Sequence, residues 1–346
     1  MKPNSNVLII YTGGTIGMIN NPKTGALTAF KFDDLYKVIP ELKQFDYKLD
    51  VVSTSNPIDS SEMKIENWTD IANTVFENYE NYDGFVILHG TDTMAFTASA
   101  LSYMLQGLIK PVILTGSQLP IGQIRTDGKE NLITAIEIAG LKDENNKALV
   151  QEVAIYFEYS LYRGNRSSKI SANHFEAFDS PNYTPLAVAG INIEFNLPGL
   201  YRTNKTELEL FTDLNSNVGL IKLFPSMSIE SLKWILNFEV YKAVIIESFG
   251  SGNSFSSPQF YQLLETYISN GGIVINTTQC SKGSVSQGKY ETSSMFSTLG
   301  VISSNDSTTE SILTKTMFAL GKYETNKDRI NFLSRDCCGE MTAKPS

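Results

Sequence analysis

Three short segments of the chain carry hydroxyl, carboxylate and amine groups that can act on a carbonyl compound. Residues 12–15 read TGGT, residues 91–93 read TDT, and Lys169 ends the run RGNRSSK at residues 163–169. A threonine hydroxyl is a poor nucleophile until a base takes its proton, and a desolvated lysine can serve as that base. Because the chain contains only two histidines, these residues favour chemistry that relies on threonine hydroxyls and a lysine.

The two threonine-bearing segments also have ordinary structural interpretations. Residues 12–15 suit a tight turn or a phosphate cradle, but residues 15–18 (TIGM) provide neither the Lys-Ser/Thr ending of a P-loop nor a third spaced glycine, so a turn is favoured. Thr91 and Asp92 are typical N-cap residues for a helix predicted over residues 94–105. Asp92 can cap this helix with one oxygen and accept a hydrogen bond from a substrate ammonium with the other, so both interpretations stay open.

Lys169 and His89 have simple alternatives as well. A lysine in a basic run is most often solvated on a loop, whereas the hypothesis of lysine-assisted chemistry requires it to accept a proton. His89 follows a predicted strand, where a lone histidine is more often a hydrogen-bonded structural residue than a general base. We therefore interpret His89 as structural.

Composition and charge exclude several classes of protein. The formal net charge is -9 and no basic stripe is long enough to follow a phosphate backbone, so neither nucleic acid nor an anionic membrane is an expected partner. The apolar run at residues 7–11 is too short for a signal-peptide core or a membrane span, which favours a cytoplasmic location. Two of the three cysteines are adjacent and the two histidines match no zinc motif, so neither a disulfide framework nor a metal site is expected.

Short β-branched apolar runs alternate with polar, glycine-bearing turns and with stretches of helical spacing. This pattern predicts an α/β fold with parallel strands and crossover helices. Predicted strands at residues 7–11, 84–88 and 111–114 are each followed by a polar turn, and a fourth polar turn, residues 56–61, follows the run 49–53. Ligands of open parallel sheets bind beyond the carboxyl ends of the strands, so these turns are expected to share one crevice.

The length of 346 residues exceeds what one hydrophobic core usually supports. We expect a larger N-terminal domain, residues 1–196, with a mostly parallel sheet and flanking helices. Residues 197–217 are polar and mixed and are expected to form a linker, and residues 218–346 are expected to form a smaller C-terminal α/β domain. The tail after Arg335 is expected to fray.

Three motifs, taken in order, resemble those of the bacterial-type L-asparaginase family: TGGTIG at residues 12–17, HGTDTM at residues 89–94 and RGNRxxK at residues 163–169. Further matches extend the resemblance over nearly the whole chain and are residues 59–61 (DSS), 115–120 (TGSQLP), 125–128 (RTDG) and 252–253 (GN). YTGGTIGM at residues 11–18 and LYRGNR at residues 161–166 are similar to the cytoplasmic, type I branch of that family.

The resemblance implies an amidohydrolase that converts L-asparagine to L-aspartate and ammonia without a cofactor. It implies four catalytic residues, namely Thr15, Thr91, Asp92 and Lys169. It implies four residues that contact the substrate, namely Asp59, Ser60, Ser117 and Asn253. In the family's pattern, Thr15 is the nucleophile, Thr91 is a second catalytic threonine, and Ser117 lies by the scissile amide.

The resemblance also implies an oligomer. The family's active site lies between the subunits of a close dimer, usually within a tetramer, and Asn253 matches the position that the neighbouring subunit contributes. A homotetramer built as a dimer of dimers is therefore the expected assembly.

Two positions depart from the family's pattern. Many members carry a tyrosine in the mobile loop after the first motif, whereas Ala26 stands there in this chain. Tyr11, Tyr36 or another subunit could supply a hydroxyl near the nucleophile, or Thr15 could rely on Lys169 through a water molecule, and these alternatives stay open. Residues 19–30 are still predicted to form a lid. Glu247 stands where an arginine is expected in members that asparagine activates at a second site, so no such regulation is expected.

Three alternative functions stay open. A glutaminase-asparaginase differs in accepting a substrate one methylene longer, and one methylene discriminates by only about 1–3 kcal/mol. An amidotransferase component that acts on aminoacylated RNA is disfavoured by the acidic composition. A non-enzymatic amino-acid sensor would keep the fold and the pocket but would bind asparagine without releasing ammonia.

Overall fold

The computed structural model describes residues 4–20, 27–29, 36, 39–287 and 291–342. It divides into two compact units, Met1–Thr212 and Asp213–Ser346, and each unit is built on its own sheet. The expected α/β fold, with a larger N-terminal part and a smaller C-terminal part, is confirmed. The limits of the expected linker, residues 197–217, stay a prediction.

The N-terminal unit contains a mostly parallel sheet with helices packed on it. The strands of this unit are β1 Ser5–Gly13, β2 Met18–Asn20, β3 Leu27–Ala29, β4 Tyr47–Ile58, β5 Gly84–Leu88, β6 Leu105–Gln106, β7 Val112–Thr115, β8 Val153–Phe157, β9 Ser160–Arg163, β10 Ser168–Lys169, β11 Phe178–Asp179, β12 Ala187–Ala189, β13 Ile193–Phe195 and β14 Glu209–Leu210. Its helices are α1 Ile65–Asn78, α2 Met94–Met104 and α3 Gly128–Gly140, with 3-10 helices at Thr15–Gly17, Pro40–Gln44, Ser60–Glu62, Gly164–Arg166 and Leu197–Gly199.

The main sheet has the strand order β13-β12-β9-β8-β7-β5-β1-β4. Strands β4, β1, β5, β7 and β8 are parallel, and β9, β12 and β13 continue the sheet in antiparallel fashion. Every residue of β5 and β7 is buried, which explains their continuous apolar sequence, because both faces of such strands are covered. Helix α1 buries Trp68, Ile71 and Val75, a spacing of three and four residues that places them on one face.

The register of the strands aligns the ends of three of them. Tyr11 of β1 pairs with Leu88 of β5, and Leu88 pairs with Thr115 of β7. The chain therefore leaves all three strands at the same edge of the sheet. Because parallel strands end at one edge, the polar turns that follow them are brought together there.

The C-terminal unit contains a smaller parallel sheet in the order β15-β16-β17-β18. Its strands are β15 Val218–Lys222, β16 Ala243–Ser248, β17 Ile273–Thr278 and β18 Ile302–Ser303. Its helices are α4 Ile229–Ile235, α5 Pro258–Ser269, α6 Glu291–Thr298, α7 Thr309–Lys322 and α8 Asn326–Leu333. Val244, Ile246 and Phe260 are fully buried in its hydrophobic core.

The expectation that the tail frays after Arg335 is wrong for the described residues up to Thr342. Glu340 is fully buried and accepts a hydrogen bond from the fully buried Lys315 at 2.5 Å, and Lys315 also donates to the carbonyl oxygen of Arg335 at 2.6 Å. Thr342 donates to Asp306 through its backbone N–H and through its hydroxyl. The tail is ordered because a buried ammonium requires a buried carboxylate as its partner.

Replacing one member of this buried ion pair is expected to destabilise the C-terminal unit. Lys315→Met leaves the Glu340 carboxylate buried without its counter-ion, so we expect the free energy of unfolding to fall by about 3–5 kcal/mol. The double variant Lys315→Met/Glu340→Leu should lose much less, because no unpaired charge stays buried. Urea unfolding followed by circular dichroism measures both, with the exposed Lys327→Met as the matched control. Parental stability in Lys315→Met would contradict the paired buried charge.

Candidate active site

The polar turns after β1, β4, β5 and β7 touch one another through glycines. A Cβ atom added to Gly14 would lie 2.5 Å from the backbone nitrogen of Gly90, and one added to Gly90 would lie 2.5 Å from the Ser60 Oγ atom. One added to Gly116 would lie 2.4 Å from the carbonyl oxygen of His89. Any side chain at these positions would push the turns apart. The glycines therefore bring four segments, distant in sequence, into van der Waals contact.

Two of the predicted catalytic threonines follow these glycines directly. Thr15, after Gly14, begins the 3-10 helix Thr15–Gly17 and its side chain is half-buried. Thr91, after Gly90, is buried. Because the backbones of the two glycines are in contact, Thr15 and Thr91 lie on adjacent turns at one edge of the sheet.

The side chains of Thr91, Asp92 and Lys169 form one hydrogen-bonded group. The Lys169 Nζ atom donates to the Thr91 hydroxyl at 2.8 Å and to the Asp92 carboxylate at 2.6 Å. The Lys169 side chain is only 17% exposed, whereas that of Asp92 is 65% exposed. The alternative of a solvated basic loop is therefore wrong for Lys169.

Lys169 reaches this position because the preceding turn is anchored. Arg163 forms a buried ion pair with Glu152, with 2.6 Å between Nε and Oε2. A Cβ atom added to Gly164 would lie 3.0 Å from the Ala98 side chain and 3.0 Å from the carbonyl oxygen of Val153. The turn Gly164–Arg166 is therefore packed closely against helix α2 and strand β8, and the following two-residue strand β10 presents Lys169 to Thr91.

Asp59 and Ser60 come to the same edge at the end of β4. The Asp59 carboxylate is exposed, and hydrogen bonds from the backbone N–H and the hydroxyl of Ser61, both at 2.9 Å, lower its pKa. Ser60 is buried, and its carbonyl oxygen accepts a hydrogen bond from the Thr93 hydroxyl at 2.7 Å. This contact joins the β4 turn to the TDT segment. An ionised carboxylate therefore stands beside the threonine turns.

Ser117 lies in the turn after β7, which a buried carboxylate holds in place. The Ser117 hydroxyl donates to the carbonyl oxygen of Leu119 at 2.6 Å. The two oxygens of Asp127 accept from the backbone N–H groups of Gln118 and Leu119, at 2.8 and 3.1 Å. Burial raises the pKa of Asp127. The turn is thus fixed by hydrogen bonds to its backbone.

Gln118 is a contact of Thr91 that the sequence analysis missed. Its Oε1 atom lies 3.3 Å from the Thr91 Oγ1 atom, and its Nε2 atom donates to the carbonyl oxygen of His174 at 3.0 Å. The sequence signal for this residue is its position next to Ser117 in the TGSQLP motif.

His89 supports the turn and is not placed to act as a base. The Trp68 indole N–H donates to the Thr97 hydroxyl at 3.0 Å, which directs the Thr97 proton to the His89 Nε2 atom at 2.9 Å. The His89 Nδ1–H group then donates to the carbonyl oxygen of Gly90 at 2.7 Å, because a carbonyl can only accept. Burial lowers the pKa of His89 to about 4. The structural interpretation of His89 agrees with this arrangement.

Neutral, buried His89 is expected to make folding stability depend on pH. Above pH 6.5 the imidazole is neutral in both states; between pH 6.5 and about 4 only the unfolded state takes up the proton. Stability should therefore fall as the pH falls through this window, by about 3 kcal/mol from this group. Urea unfolding of the parent and of His89→Gln between pH 7 and 4.5 measures the difference, and the variant should show the shallower dependence. The exposed His174→Gln variant should behave like the parent; equal slopes for all three would refute the assignment.

Other predicted residues lie outside the described contacts of this site. Asn253 belongs to the C-terminal unit, in a turn closed by two backbone hydrogen bonds with Phe249, and its role in a neighbouring subunit's site stays a prediction. Ala26 lies outside the described residues. Of the predicted lid, residues 19–30, the structure gives only the antiparallel backbone pairing of β2 and β3.

Tyr11, one of the candidate tyrosines, lies close to the first threonine turn. A Cβ atom added to Gly17 would lie 2.4 Å from the Tyr11 hydroxyl oxygen, so this hydroxyl lies against the 3-10 helix that begins at Thr15. Tyr11 is 4% exposed, and burial raises its pKa. The Tyr11 hydroxyl is therefore protonated and close to the first threonine turn.

Neither a metal cluster nor a membrane span is present in the part of the chain that the structure describes. No group of three His, Cys, Asp or Glu side chains among the described residues could hold a metal ion. No described helix is both long and apolar enough to cross a bilayer.

Comparison with known proteins identifies the family. Residues 6–200 match the family model "Asparaginase, N-terminal", and residues 217–332 match "Glutaminase/Asparaginase C-terminal domain". L-asparaginase 1 of Escherichia coli (strain K12) is 37% identical over 339 residues, which cover 97% of this chain and 98% of the relative. The crystal structure of L-asparaginase I from Vibrio cholerae has a TM-score of 0.88 at 36% identity and covers 98% of this chain and 99% of that one.

A longer relative is similar as well. The 60 kDa lysophospholipase of Mus musculus is 36% identical over 365 residues, and the match covers 99% of this chain but only 63% of the relative. The similarity to that protein is therefore limited to less than two thirds of its length. On the two family models and the full-length relative from Escherichia coli, the chain belongs to the asparaginase family of amidohydrolases.

Proposed function

We propose that this chain is an L-asparaginase that hydrolyses the side-chain amide of L-asparagine through a threonine nucleophile. The observation that supports the proposal most directly is the hydrogen-bonded group of Thr91, Asp92 and Lys169, with Lys169 Nζ 2.8 Å from the threonine hydroxyl. A lysine paired in this way can exchange protons with a hydroxyl at a site where no imidazole is available. Thr15 is the proposed nucleophile on the adjacent turn.

The proposed reaction has two halves. In the first, the Thr15 oxygen attacks the amide carbon while its proton passes to the hydrogen-bonded group of Thr91, Asp92 and Lys169. The C–N bond then breaks, and the same proton returns to the departing nitrogen, which leaves as ammonia. In the second half, water attacks the resulting ester, its proton follows the same route, and the Thr15 oxygen is reprotonated as aspartate leaves.

Backbone amides of the glycine turns are the proposed oxyanion donors. The contact between the Gly14 and Gly90 backbones holds the two turns together next to Thr15 and Thr91, so the backbone N–H groups of these turns lie close to the proposed reacting hydroxyls. Each preorganised donor aimed at the developing negative charge contributes roughly 3 kcal/mol to transition-state stabilisation. Ser117, whose turn Asp127 holds in place, is proposed to lie by the scissile amide.

The charged groups of the substrate suit the acidic residues at this edge. The ionised carboxylates of Asp59 and Asp92 can each accept a hydrogen bond from the α-ammonium group of asparagine, and Ser60 is proposed to contact the α-carboxylate. Asn253 of the neighbouring subunit is proposed to complete the site, which requires a dimer, and a homotetramer built as a dimer of dimers is the proposed assembly. The proposed location is the cytoplasm.

Ammonia release tests the proposal. The parent should release ammonia from L-asparagine above a buffer blank, and Thr15→Ala, Thr91→Ala and Lys169→Met should each lose about 10³-fold or more in kcat, by analogy with the removal of nucleophiles and bases elsewhere. Lys129→Met, a solvent-exposed lysine paired with Glu41, is the matched control and should keep the parental rate.

The other outcomes separate the alternatives. If the parent bound asparagine without releasing ammonia, the sensor would replace the enzyme. If Thr15→Ala kept its full rate, only the assigned nucleophile would fall, because Thr91 could take that role. A glutamine rate within about tenfold of the asparagine rate would make the chain a glutaminase-asparaginase, since one methylene separates the substrates by only about 1–3 kcal/mol.

A further inference from the structure

The hydrogen bonds around Thr91 fix the direction of its hydroxyl proton. The Lys169 Nζ atom donates to the Thr91 Oγ1 atom at 2.8 Å. The Thr91 oxygen therefore accepts from Lys169, and its own proton is free to donate elsewhere. The acceptor within reach is the Oε1 atom of Gln118 at 3.3 Å.

The orientation of the Gln118 amide is set by its other neighbour. The carbonyl oxygen of His174, 3.0 Å away, can only accept, so the amide nitrogen of Gln118 must face it. The amide oxygen then faces Thr91. Lys169 therefore donates to the Thr91 hydroxyl, Thr91 donates to the Gln118 amide oxygen, and the Gln118 amide nitrogen donates to the carbonyl oxygen of His174.

Both ends of this bridge are held in place. The backbone N–H group of Gln118 donates to buried Asp127 at 2.8 Å. The Ser171 hydroxyl oxygen accepts from the backbone N–H groups of Asn173 and His174, at 3.2 and 3.0 Å, which fixes the segment that presents the His174 carbonyl. A glutamine held at both ends loses little further side-chain entropy when it orients Thr91.

We propose that Gln118 is a positioning residue for the reaction of the preceding subsection, on which this inference rests. Its amide oxygen holds the Thr91 proton on the side away from Lys169, so that a lone pair of the threonine oxygen accepts the hydrogen bond from Lys169 Nζ. It also connects Thr91 to the segment at residues 171–174. The contact of 3.3 Å is longer than a strong hydrogen bond, so the Thr91 proton can leave Gln118 when a substrate offers another acceptor.

Gln118 stands at the boundary between this site and an open groove. The groove has a volume of about 860 Å³ and is lined by Gln118, Gln123, Ile124, Arg125, Asn173 and Phe175 among others. Gln123 offers a matched comparison, because it is a glutamine of the same groove for which the described part of the chain gives no side-chain hydrogen bond. If the role depends on the contact with Thr91, substituting Gln118 should affect the reaction and substituting Gln123 should not.

The test is the steady-state kinetics of Gln118→Met and Gln123→Met with L-asparagine. Methionine keeps the length of the glutamine side chain but removes both hydrogen bonds, so the Thr91 hydroxyl adopts several orientations. We expect kcat to fall about 10-fold to 100-fold, the effect of one lost orienting hydrogen bond, while KM changes by less than about threefold. Gln123→Met should keep the parental kcat and KM.

The kinetics separate a failure of the role of Gln118 from a failure of the proposed function. A parent that releases no ammonia refutes the function itself. An active parent with an unchanged kcat in Gln118→Met, with the loss in KM alone, or with an equal loss in Gln123→Met, overturns only the role of Gln118. If Gln118→Met melts several degrees below the parent, Gln118→Ala is measured instead, and the same division between kcat and KM decides.

Discussion

The close approach of the Gly14 and Gly90 backbones is the constraint on which the proposed active site depends. The two glycines follow strands β1 and β5, whose parallel pairing already aligns Tyr11 with Leu88. Sheet register alone brings the turns near each other, but a Cβ atom at Gly14 would lie 2.5 Å from the Gly90 nitrogen. The two turns can come into contact because neither glycine has a side chain. Apolar strand packing thereby positions two polar hydroxyl groups.

A second constraint is that Lys169 must lie beside the Thr91 hydroxyl and still keep a carboxylate as a partner for its Nζ atom. Asp92 neutralises Lys169 at 2.6 Å while remaining 65% exposed, so the pair avoids the desolvation penalty of a fully buried ion pair. The ion pair of Arg163 and Glu152, in contrast, is buried on both sides. It holds the turn before Lys169 away from solvent and so fixes the position of the Lys169 side chain, while the pair of Lys169 and Asp92 stays partly exposed.

The sequence predicted the fold and the set of convergent turns because both follow from local patterns. Short continuous apolar runs bounded by turn residues, such as β5, favour buried strands, and polar turns after parallel strands meet at one edge. The contact of Lys169 with Thr91 could only be hypothesised, since it depends on the two-residue strand β10 and on a buried pair between Arg163 and a residue of another segment. Gln118 was missed for the same reason: its role requires the fold of residues 171–174.

For the C-terminal tail, composition predicts a frayed end, but one buried ion pair sets the position of the tail. The segment after Arg335 is polar and glycine-bearing, which is typical of a frayed end. Lys315 is fully buried within helix α7, 5.3 Å from the centroid of the Phe332 ring, and the carboxylate that pairs with it comes from outside this helix. The structure satisfies this ammonium with Glu340, so the tail must return to the helix. In the C-terminal unit, therefore, a lysine that cannot remain alone determines where a distant segment of the chain lies.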